Sequence, residues 1–314
     1  MDNKLSTKEW ISFLEDRGIA REVIDQYIPY IKKLIENNVP VIFENEHLSS
    51  LLGIKRLELN KMINSPKDFY REFSIPKRRG GKRIIVSPYA SLLSCQVWIY
   101  KNILLKSEVH EKAHGFVPNN SIITNATSHL NKKALLKMDV SNFFPSIPFN
   151  WVINYFSKLG YAKNVSFYLA SLCCLDGSLP QGAASSPYLS NVLLFKLDER
   201  LDKLSNLYGL AYTRYADDLT FSGDYIPLSY VNLVSEIVLD YGLLINKDKT
   251  RLHTKKGQRI VTGISVVGTE LSLPRETKRQ LRQDIYFIRK YGFLSHASKI
   301  KINYPNYLGP VNTI

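Results

Sequence analysis

Residues 211–221 read Ala211-Tyr212-Thr213-Arg214-Tyr215-Ala216-Asp217-Asp218-Leu219-Thr220-Phe221. Apolar and β-branched residues on both sides of a short centre predict two strands joined by a tight turn. The turn carries two adjacent carboxylates, which repel each other and lose solvation in so apolar a hairpin. They therefore need a compensating cation. A hard divalent ion with oxygen ligands is the natural partner, and Mg²⁺ suits phosphate chemistry.

A second apolar strand also ends in an acidic residue. It reads Leu135-Leu136-Lys137-Met138-Asp139-Val140-Ser141-Asn142-Phe143-Phe144. If Asp139 lies beside Asp217, the carboxylates can hold two metal ions, one activating a hydroxyl and the other neutralising a leaving pyrophosphate. The alternative is that Asp217 and Asp218 form an ordinary acidic turn, because Asp is common in hairpins.

The composition indicates a basic, folded protein. Of 314 residues, 45% are hydrophobic, and 42 Lys and Arg against 28 Asp and Glu give a formal net charge of +14. This excess indicates a polyanionic partner, most commonly nucleic acid, although a basic surface without a specific partner is the alternative. The polar N-terminus and the lack of a long apolar run predict neither a signal peptide nor a membrane span. Three cysteines without disulfide or zinc spacing favour the reducing cytoplasm.

Helices and strands mingle along the chain, which predicts one α+β body. Residues 1 to about 65 form a helical region in which residues 47–63 weakly resemble a helix-turn-helix. Further helices are expected at residues 90–105, 151–175, 187–208, 229–241 and 274–291, the last being the final clear helix. Short strands are expected around residues 243–245 and 259–266.

Two basic clusters stand out. Five cations surround a Gly-Gly turn between two predicted strands: Lys77, Arg78, Arg79, Lys82 and Arg83. The predicted helix from Pro274 carries a stripe of four arginines on one face, with Tyr286 between the last two. The arginines are Arg275, Arg279, Arg282 and Arg289. Both clusters suit phosphate binding, and for the helix we expect the other face, with Leu281, Ile285 and Ile288, to pack inward. Solvated basic surfaces are the alternative in both cases.

Four ordered segments resemble the motifs of reverse transcriptases. They are the Asp139 strand, Leu179-Pro180-Gln181-Gly182-Ala183-Ala184-Ser185-Ser186-Pro187, the tetrapeptide Tyr215-Ala216-Asp217-Asp218, and Gly242-Leu243-Leu244-Ile245-Asn246-Lys247-Asp248-Lys249-Thr250. Two shorter segments resemble the retron branch in particular: Asn125-Ala126-Thr127-Ser128-His129 and Val261-Thr262-Gly263. The resemblance runs from about residue 73 to residue 267.

The resemblance implies a role for individual residues. Asp139 and Asp217 would be metal ligands, with Asp218 as a partial or second-sphere ligand and the Val140 carbonyl completing a shell of one of two Mg²⁺ ions. Phe144 would block a 2′-hydroxyl and so select dNTPs, the alternative being a core aromatic. Lys249, or else Lys247, would protonate the leaving pyrophosphate.

Further implied roles concern binding. Gln181 and Gly182 would shape the nucleotide pocket, although Gly182 also suits a simple turn, and Lys82 and Arg83 would contact the triphosphate. The implied nucleic-acid contacts are Lys77, Arg78, Arg79, Asn125, His129, Val261, Thr262, Gly263 and the four arginines of the stripe. For His129 a structural role is the open alternative.

The implied fold is an α+β right-hand polymerase. Residues 1–65 would be the N-terminal helical region, 66–137 the fingers, 138–267 the palm with an antiparallel sheet, and 268–314 a short thumb. The implied activity copies a cognate structured noncoding RNA into single-stranded DNA, primed from a 2′-hydroxyl. A separate effector protein, a role in phage defence and a bacterial cytoplasmic location are also implied. Alternatives are a group II intron or diversity-generating reverse transcriptase, a non-catalytic RNA-binding scaffold and a helix-turn-helix regulator.

Overall fold

The front of the chain is helical. The computed structural model describes residues 5–76, 82–254 and 257–299, with the side chains of Lys82 and Arg83 excepted. It begins with α1 (Thr7–Glu15), α2 (Arg21–Glu36), α3 (Asn45–Leu52) and α4 (Arg56–Asn64). Ser6 and Glu9 form a capping box, in which each side chain accepts a hydrogen bond from the other's backbone N–H.

An antiparallel hairpin follows. Strands β1 (Tyr70–Pro76) and β2 (Lys82–Pro88) pair from Tyr70↔Pro88 to Pro76↔Lys82. Predicted contacts at Lys77, Arg78 and Arg79 lie outside the described residues, as do the side chains of Lys82 and Arg83. The hairpin leads into α5 (Ala90–Asn102) and the short α6 (Ile122–Thr127).

The central sheet carries the acidic residues. Strand β3 (Ala134–Asp139) is followed by α7 (Phe149–Lys158), α8 (Lys163–Cys173), α9 (Ser186–Leu193) and α10 (Phe195–Leu207). Then come β4 (Ala211–Tyr215), β5 (Asp218–Gly223), α11 (Leu228–Asp240) and β6 (Arg251–His253). The strands are antiparallel in the order β4-β5-β3-β6.

Two predicted helices are each divided. Residues 151–175 form α7 and α8, separated at Gly160, whose positive φ of 106° ends the first helix. Residues 187–208 form α9 and α10, which Leu194 separates. The strand expected at residues 243–245 is reduced to a single bridge between Ile245 and Val140. The two divided helices are errors of element boundaries, which local periodicity fixes poorly, whereas the strand at residues 243–245 was expected where only one bridge forms.

The C-terminal part contains a small hairpin and two helices. Strands β7 (Ile260–Val261) and β8 (Ile264–Ser265) precede α12 (Arg275–Tyr291), and a further helix, α13 (Phe293–Lys299), follows it. The inward packing expected for the apolar face of α12 is wrong within the described residues. None of its residues is buried, and Leu281 and Ile285 are 49% and 44% exposed.

One continuous apolar core joins the N-terminal helices, the central sheet and helices α5 and α7–α11. The three cysteines are free and buried in it. Among the described residues, no helix is long and apolar enough to span a membrane.

Candidate active site

The three acidic residues meet at one end of the central sheet. Asp139, the last residue of β3, pairs directly with Asp218, the first residue of β5. The backbone N–H of Val140 donates to the carbonyl of Asp217 at 2.9 Å. Residues 139 and 217–218 are therefore held together by backbone hydrogen bonds as well as by the strand register.

The electrostatics of this cluster are unfavourable without a cation. Burial, then the charge of Asp139, then that of Asp218 raise the pKa of Asp217 to about 6. Burial also raises the pKa of Asp218, against the opposing effect of Lys137. The Lys249 ammonium lies 2.8 Å from both carboxylate oxygens of Asp139. Lys249 thus neutralises one of the three carboxylates, while two remain poorly compensated.

The donor set fits a hard divalent cation. Three carboxylates in a partly desolvated group, with the carbonyl of Val140 at the same strand end, are the oxygen ligands that Mg²⁺ prefers. Within the described ranges, however, no three acidic, His or Cys side chains already form an arrangement that could hold a metal ion. In this structure both carboxylate oxygens of Asp139 instead accept from the Lys249 ammonium.

The turn between the acidic strands is strained. Tyr215 pairs with Asp218, so Ala216 and Asp217 form a two-residue turn. Ala216 has a φ of 56°, a left-handed conformation that costs a non-glycine residue about 1–2 kcal/mol. A Gly at this position is the usual solution in a hairpin. The turn is therefore held in place by something other than its own preference.

A buried ionic network lies behind this turn. Arg214 and Asp198 are fully buried and form a bidentate pair, with Arg214 Nε 2.7 Å from Asp198 Oδ1. Arg214 Nη1 donates to the carbonyl of Ala216 at 3.3 Å and to Asn191 Oδ1 at 2.9 Å. The network fixes the carbonyl of the strained residue, next to Asp217. An arginine inside an apolar strand was the one sequence signal for it.

A loop segment also packs against the turn. His114 donates its backbone N–H to the Arg214 carbonyl, and Arg214 donates to that of Lys112, each at 2.8 Å. A Cβ on Gly115 would lie 2.6 Å from the backbone N of Ala216, so only glycine fits there. The carbonyl of Gly115 accepts a hydrogen bond from Asn191 Nδ2 at 2.7 Å. Gly115 was missed because no local pattern indicates this long-range contact.

The acidic cluster opens into a cleft of about 1410 Å³. Its walls include all three acidic residues, Lys249 and other predicted site residues, namely Val140, Phe144 and Gln181. Lys249 lines the cleft and pairs with Asp139, whereas Lys247 does neither. The geometry therefore favours Lys249 of the two lysines. The arginines Arg275, Arg279, Arg282 and Arg289 are exposed on α12, outside the lining.

The loop at Gln181 and Gly182 is joined to the β1–β2 hairpin. The backbone N–H of Val86 donates to the Gln181 carbonyl at 3.0 Å. Gly182 has a φ of 131°, and a Cβ there would lie 2.5 Å from the Val86 carbonyl oxygen. Gly182 is thus required for close backbone approach and not simply for a turn. The buried Gln96 accepts from the backbone N–H of Ala184 and fixes the next part of the loop.

The two short retron-like segments lie together, and Asn125, His129 and Val261 in them are buried. His129 is fully buried between Thr213 Oγ1 and Ser222 Oγ, each 2.7 Å from a ring nitrogen. Burial lowers its pKa to about 3, so the ring is neutral near pH 7. Asn125 is also fully buried and donates to Thr262 Oγ1 at 3.3 Å.

These positions correct the predicted nucleic-acid contacts. The side chains of Asn125, His129 and Val261 are 0% exposed, so direct RNA contact by them is wrong for this structure. Thr262 and Gly263 are more accessible and form a two-residue turn with φ values of 45° and 85°. Of this group, only the turn can reach a bound strand.

Comparisons with known proteins are consistent with this geometry. Residues 75–302 match the family described as "Reverse transcriptase (RNA-dependent DNA polymerase)". The chain is 37% identical over 306 residues to the retron Mx65 reverse transcriptase of Myxococcus xanthus, covering 88% of this chain and 71% of that one. It is 34% identical over 267 residues to the retron Ec86 reverse transcriptase of Escherichia coli, covering 84% and 82%. A telomerase structure from Candida albicans aligns with a TM-score of 0.48 and 14% identity, over 66% of this chain and 46% of that chain.

Proposed function

This chain belongs to the reverse transcriptase family, in its retron branch, and we propose that it copies a cognate structured noncoding RNA into single-stranded DNA at the acidic cluster. Its membership makes it an RNA-directed DNA polymerase of retron type. The observation that supports this site is the meeting of Asp139, Asp217 and Asp218 at the mouth of the large cleft.

Asp139, Asp217, Asp218 and the Val140 carbonyl would hold two Mg²⁺ ions. When bound, such ions activate the attacking hydroxyl and neutralise charge on the leaving pyrophosphate. The repulsion that raises the pKa of Asp217 supports this assignment, because it leaves the cluster in need of positive charge. The hydrogen bond from Arg214 to the Ala216 carbonyl would hold the turn, and with it the backbone of Asp217, in position for ligation.

Lys249 would act as a general acid. Its ammonium already lies within the cleft, paired with Asp139. Once Asp139 turns to a metal ligand role, the free Lys249 would donate a proton to the leaving pyrophosphate oxygen. Lys249 would then supply the proton close to Asp139, where the charge of the leaving pyrophosphate is neutralised.

The nucleotide pocket would lie between the Phe144 side and the Gln181–Gly182 loop. Phe144 is half-buried and lines the cleft, where its ring would exclude a 2′-hydroxyl and select dNTPs. The backbone contact between Val86 and Gln181 ties this loop to the β1–β2 hairpin. Lys82 and Arg83 follow the hairpin turn and would contact the triphosphate.

The regions would correspond to a right hand. Residues 1–65 form the N-terminal helical region, 66–137 the fingers, 138–267 the palm and 268–314 the thumb. The template and product would be held by Lys77, Arg78 and Arg79 in the fingers, by the Thr262–Gly263 turn, and by the exposed arginines of α12: Arg275, Arg279, Arg282 and Arg289. The net charge of +14 supports a nucleic-acid partner that contacts basic residues in both the fingers and the thumb.

The resemblance to the retron branch is the basis for the finer biology that we propose. We place the protein in the bacterial cytoplasm, where it would start DNA from a 2′-hydroxyl within the RNA and leave a branched product. A separate effector protein would join this complex in phage defence.

The test is the nucleic acid that co-purifies with the protein. The protein is expressed with its neighbouring genomic sequence, and the bound nucleic acid is digested with RNase, DNase and a debranching enzyme. We expect a DNA that is linked to RNA and that disappears in an Asp217→Asn variant. Asp224→Asn is the matched control, because the Asp224 side chain is 81% exposed and forms a surface ion pair with Lys133.

Two outcomes contradict the proposal. An unchanged DNA species in the Asp217→Asn variant would show that this site does not make it. DNA that persists in that variant without its branch would show that Asp217 is needed for priming but not for DNA synthesis, which contradicts its proposed role in polymerisation.

A further inference from the structure

Phe116 is an exposed aromatic residue in an unfavourable backbone conformation beside the acidic cluster. Its side chain is 44% exposed and lines the cleft. Its φ is 63°, in the left-handed region that L-residues with large side chains rarely adopt. An exposed apolar ring gains little by burial, so intramolecular packing alone does not explain why the chain accepts this strain.

The backbone contacts of the preceding residue, Gly115, fix the position of Phe116. Its neighbour Gly115 packs on the backbone of Ala216, and the Gly115 carbonyl accepts from the buried Asn191. Asn191 in turn accepts from Arg214, which also holds the Ala216 carbonyl. One buried network therefore positions both the acidic turn and the residue from which the Phe116 ring extends.

The ring of Phe116 lies near two other aromatic rings, and one of them, Phe144, also lines the cleft. Its centroid is 6.3 Å from that of Phe144, with an interplanar angle of 41°, and 6.4 Å from that of Tyr215, with an angle of 43°. Both distances fall within the range in which aromatic rings attract each other. Phe143 also contacts Phe144, at 5.2 Å between ring centroids.

We infer that Phe116 is a positioning residue for Phe144 and thereby helps to determine sugar specificity. The Phe116 ring limits the directions in which the Phe144 ring can move, so that Phe144 stays under the sugar of the incoming nucleotide. A steric gate excludes a hydroxyl only while its side chain is held rigidly. Loss of the contact from Phe116 should therefore allow the larger ribose to bind. This inference rests on the proposed polymerase function and on the proposed role of Phe144.

The experiment measures kcat/KM for one dNTP and its rNTP on a primed RNA template, with the full-length protein and its co-purified RNA. The variants are Phe116→Ala, Phe144→Ala, the double variant and Phe116→Leu. Phe167→Ala is the control, since Phe167 is 42% exposed on α8 and does not line the cleft. Thermal melting of each variant monitors folding.

We expect Phe144→Ala to lower the preference for the dNTP strongly. Phe116→Ala should lower it about three- to tenfold, the range expected from loss of one aromatic contact, with kcat/KM for the dNTP changed less than about twofold. Phe116→Leu should fall between wild type and Phe116→Ala. The double variant should discriminate no worse than Phe144→Ala, because Phe116 acts through that residue.

Each other outcome has a distinct meaning. If Phe144→Ala loses the preference for the dNTP while Phe116→Ala keeps it, this inference is overturned and the polymerase function stands. Additive effects in the double variant overturn it as well, because Phe116 would then act independently of Phe144. Unchanged sugar discrimination in both single variants refutes the gate itself, whereas absence of DNA synthesis by the wild type refutes the proposed function.

Discussion

Replacing Asp217 by Asn should stabilise the metal-free protein while abolishing DNA synthesis. In the folded chain, burial and the neighbouring carboxylates Asp139 and Asp218 raise the pKa of Asp217 from 3.8 to about 6. A raised carboxyl pKa means that the folded state holds the proton more tightly than the unfolded state. The contribution to stability is therefore fully present below pH 3.8 and is lost as the pH rises through about 6.

The magnitude follows from this difference. Each pKa unit corresponds to about 1.4 kcal/mol, so a shift of about two units amounts to roughly 3 kcal/mol at neutral pH. Asp217 is not fully buried, and solvent screening reduces the value to about 1–2 kcal/mol. Because Asn cannot ionise, Asp217→Asn should raise the free energy of unfolding by that amount at pH 7.5 in EDTA. Below pH 3.8 the gain should vanish.

The assay is denaturant unfolding in EDTA at pH 7.5 and at pH 3.5, with a further measurement at pH 7.5 in added Mg²⁺. Wild type should gain stability with Mg²⁺, since a ligand that binds the native state stabilises it. Asp217→Asn should gain less, and Asp224→Asn should behave as wild type does. An Asp217→Asn variant that is less stable than wild type in EDTA at pH 7.5 would refute the argument that desolvated, repelling carboxylates create this site.

Three further predictions concern the surroundings of the cluster. Arg214→Met leaves the Asp198 carboxylate buried and unpaired and should cost about 3–5 kcal/mol in denaturant unfolding; adding Asp198→Leu should recover most of the stability but not the rate of DNA synthesis, and recovery of both would contradict the positioning role. Gly115→Ala should lower DNA synthesis at least about tenfold, because its Cβ would meet the Ala216 backbone at 2.6 Å; normal synthesis would show that the turn can shift freely. His129 has a pKa lowered to about 3 by burial, so wild-type stability should fall as the pH drops below 6.5, and His129→Gln should flatten that loss in acid unfolding curves; an equally steep loss in His129→Gln would exclude His129 as its source.

The acidic cluster was predictable from the sequence because its parts are local. The β4–β5 hairpin and the Asp139 strand are short, mostly apolar segments, and each places its carboxylate at a strand end. Pairing of β3 with β5 then brings Asp139 opposite Asp218. The residues alone did not establish that β3 pairs with β5. The order of the four motifs along the chain supported this pairing.

The support behind the cluster could not be predicted in this way. Asp198, Asn191 and Gly115 lie on three different segments, and only the folded chain brings them to Arg214 and Ala216. Sequence patterns report the face on which a residue lies, not which distant group it meets. The same limit explains α12, where periodicity correctly indicated an apolar stripe but could not say whether anything covers it.

The two retron-like segments have a structural role that their sequences do not reveal. Asp139 and Leu135 lie on one face of β3, and Asp218 and Ser222 lie on the same face of β5 opposite them.

At the acidic end, this face is open to the cleft. Two to four residues further along the strands, His129 covers this face by bridging Ser222 to Thr213, and Val261 packs with Leu135. The hydrogen bond from Asn125 to Thr262 joins these two covering segments. The Asn125–His129 and Val261–Gly263 segments therefore pack together on the strands that carry the carboxylates and stabilise that part of the sheet.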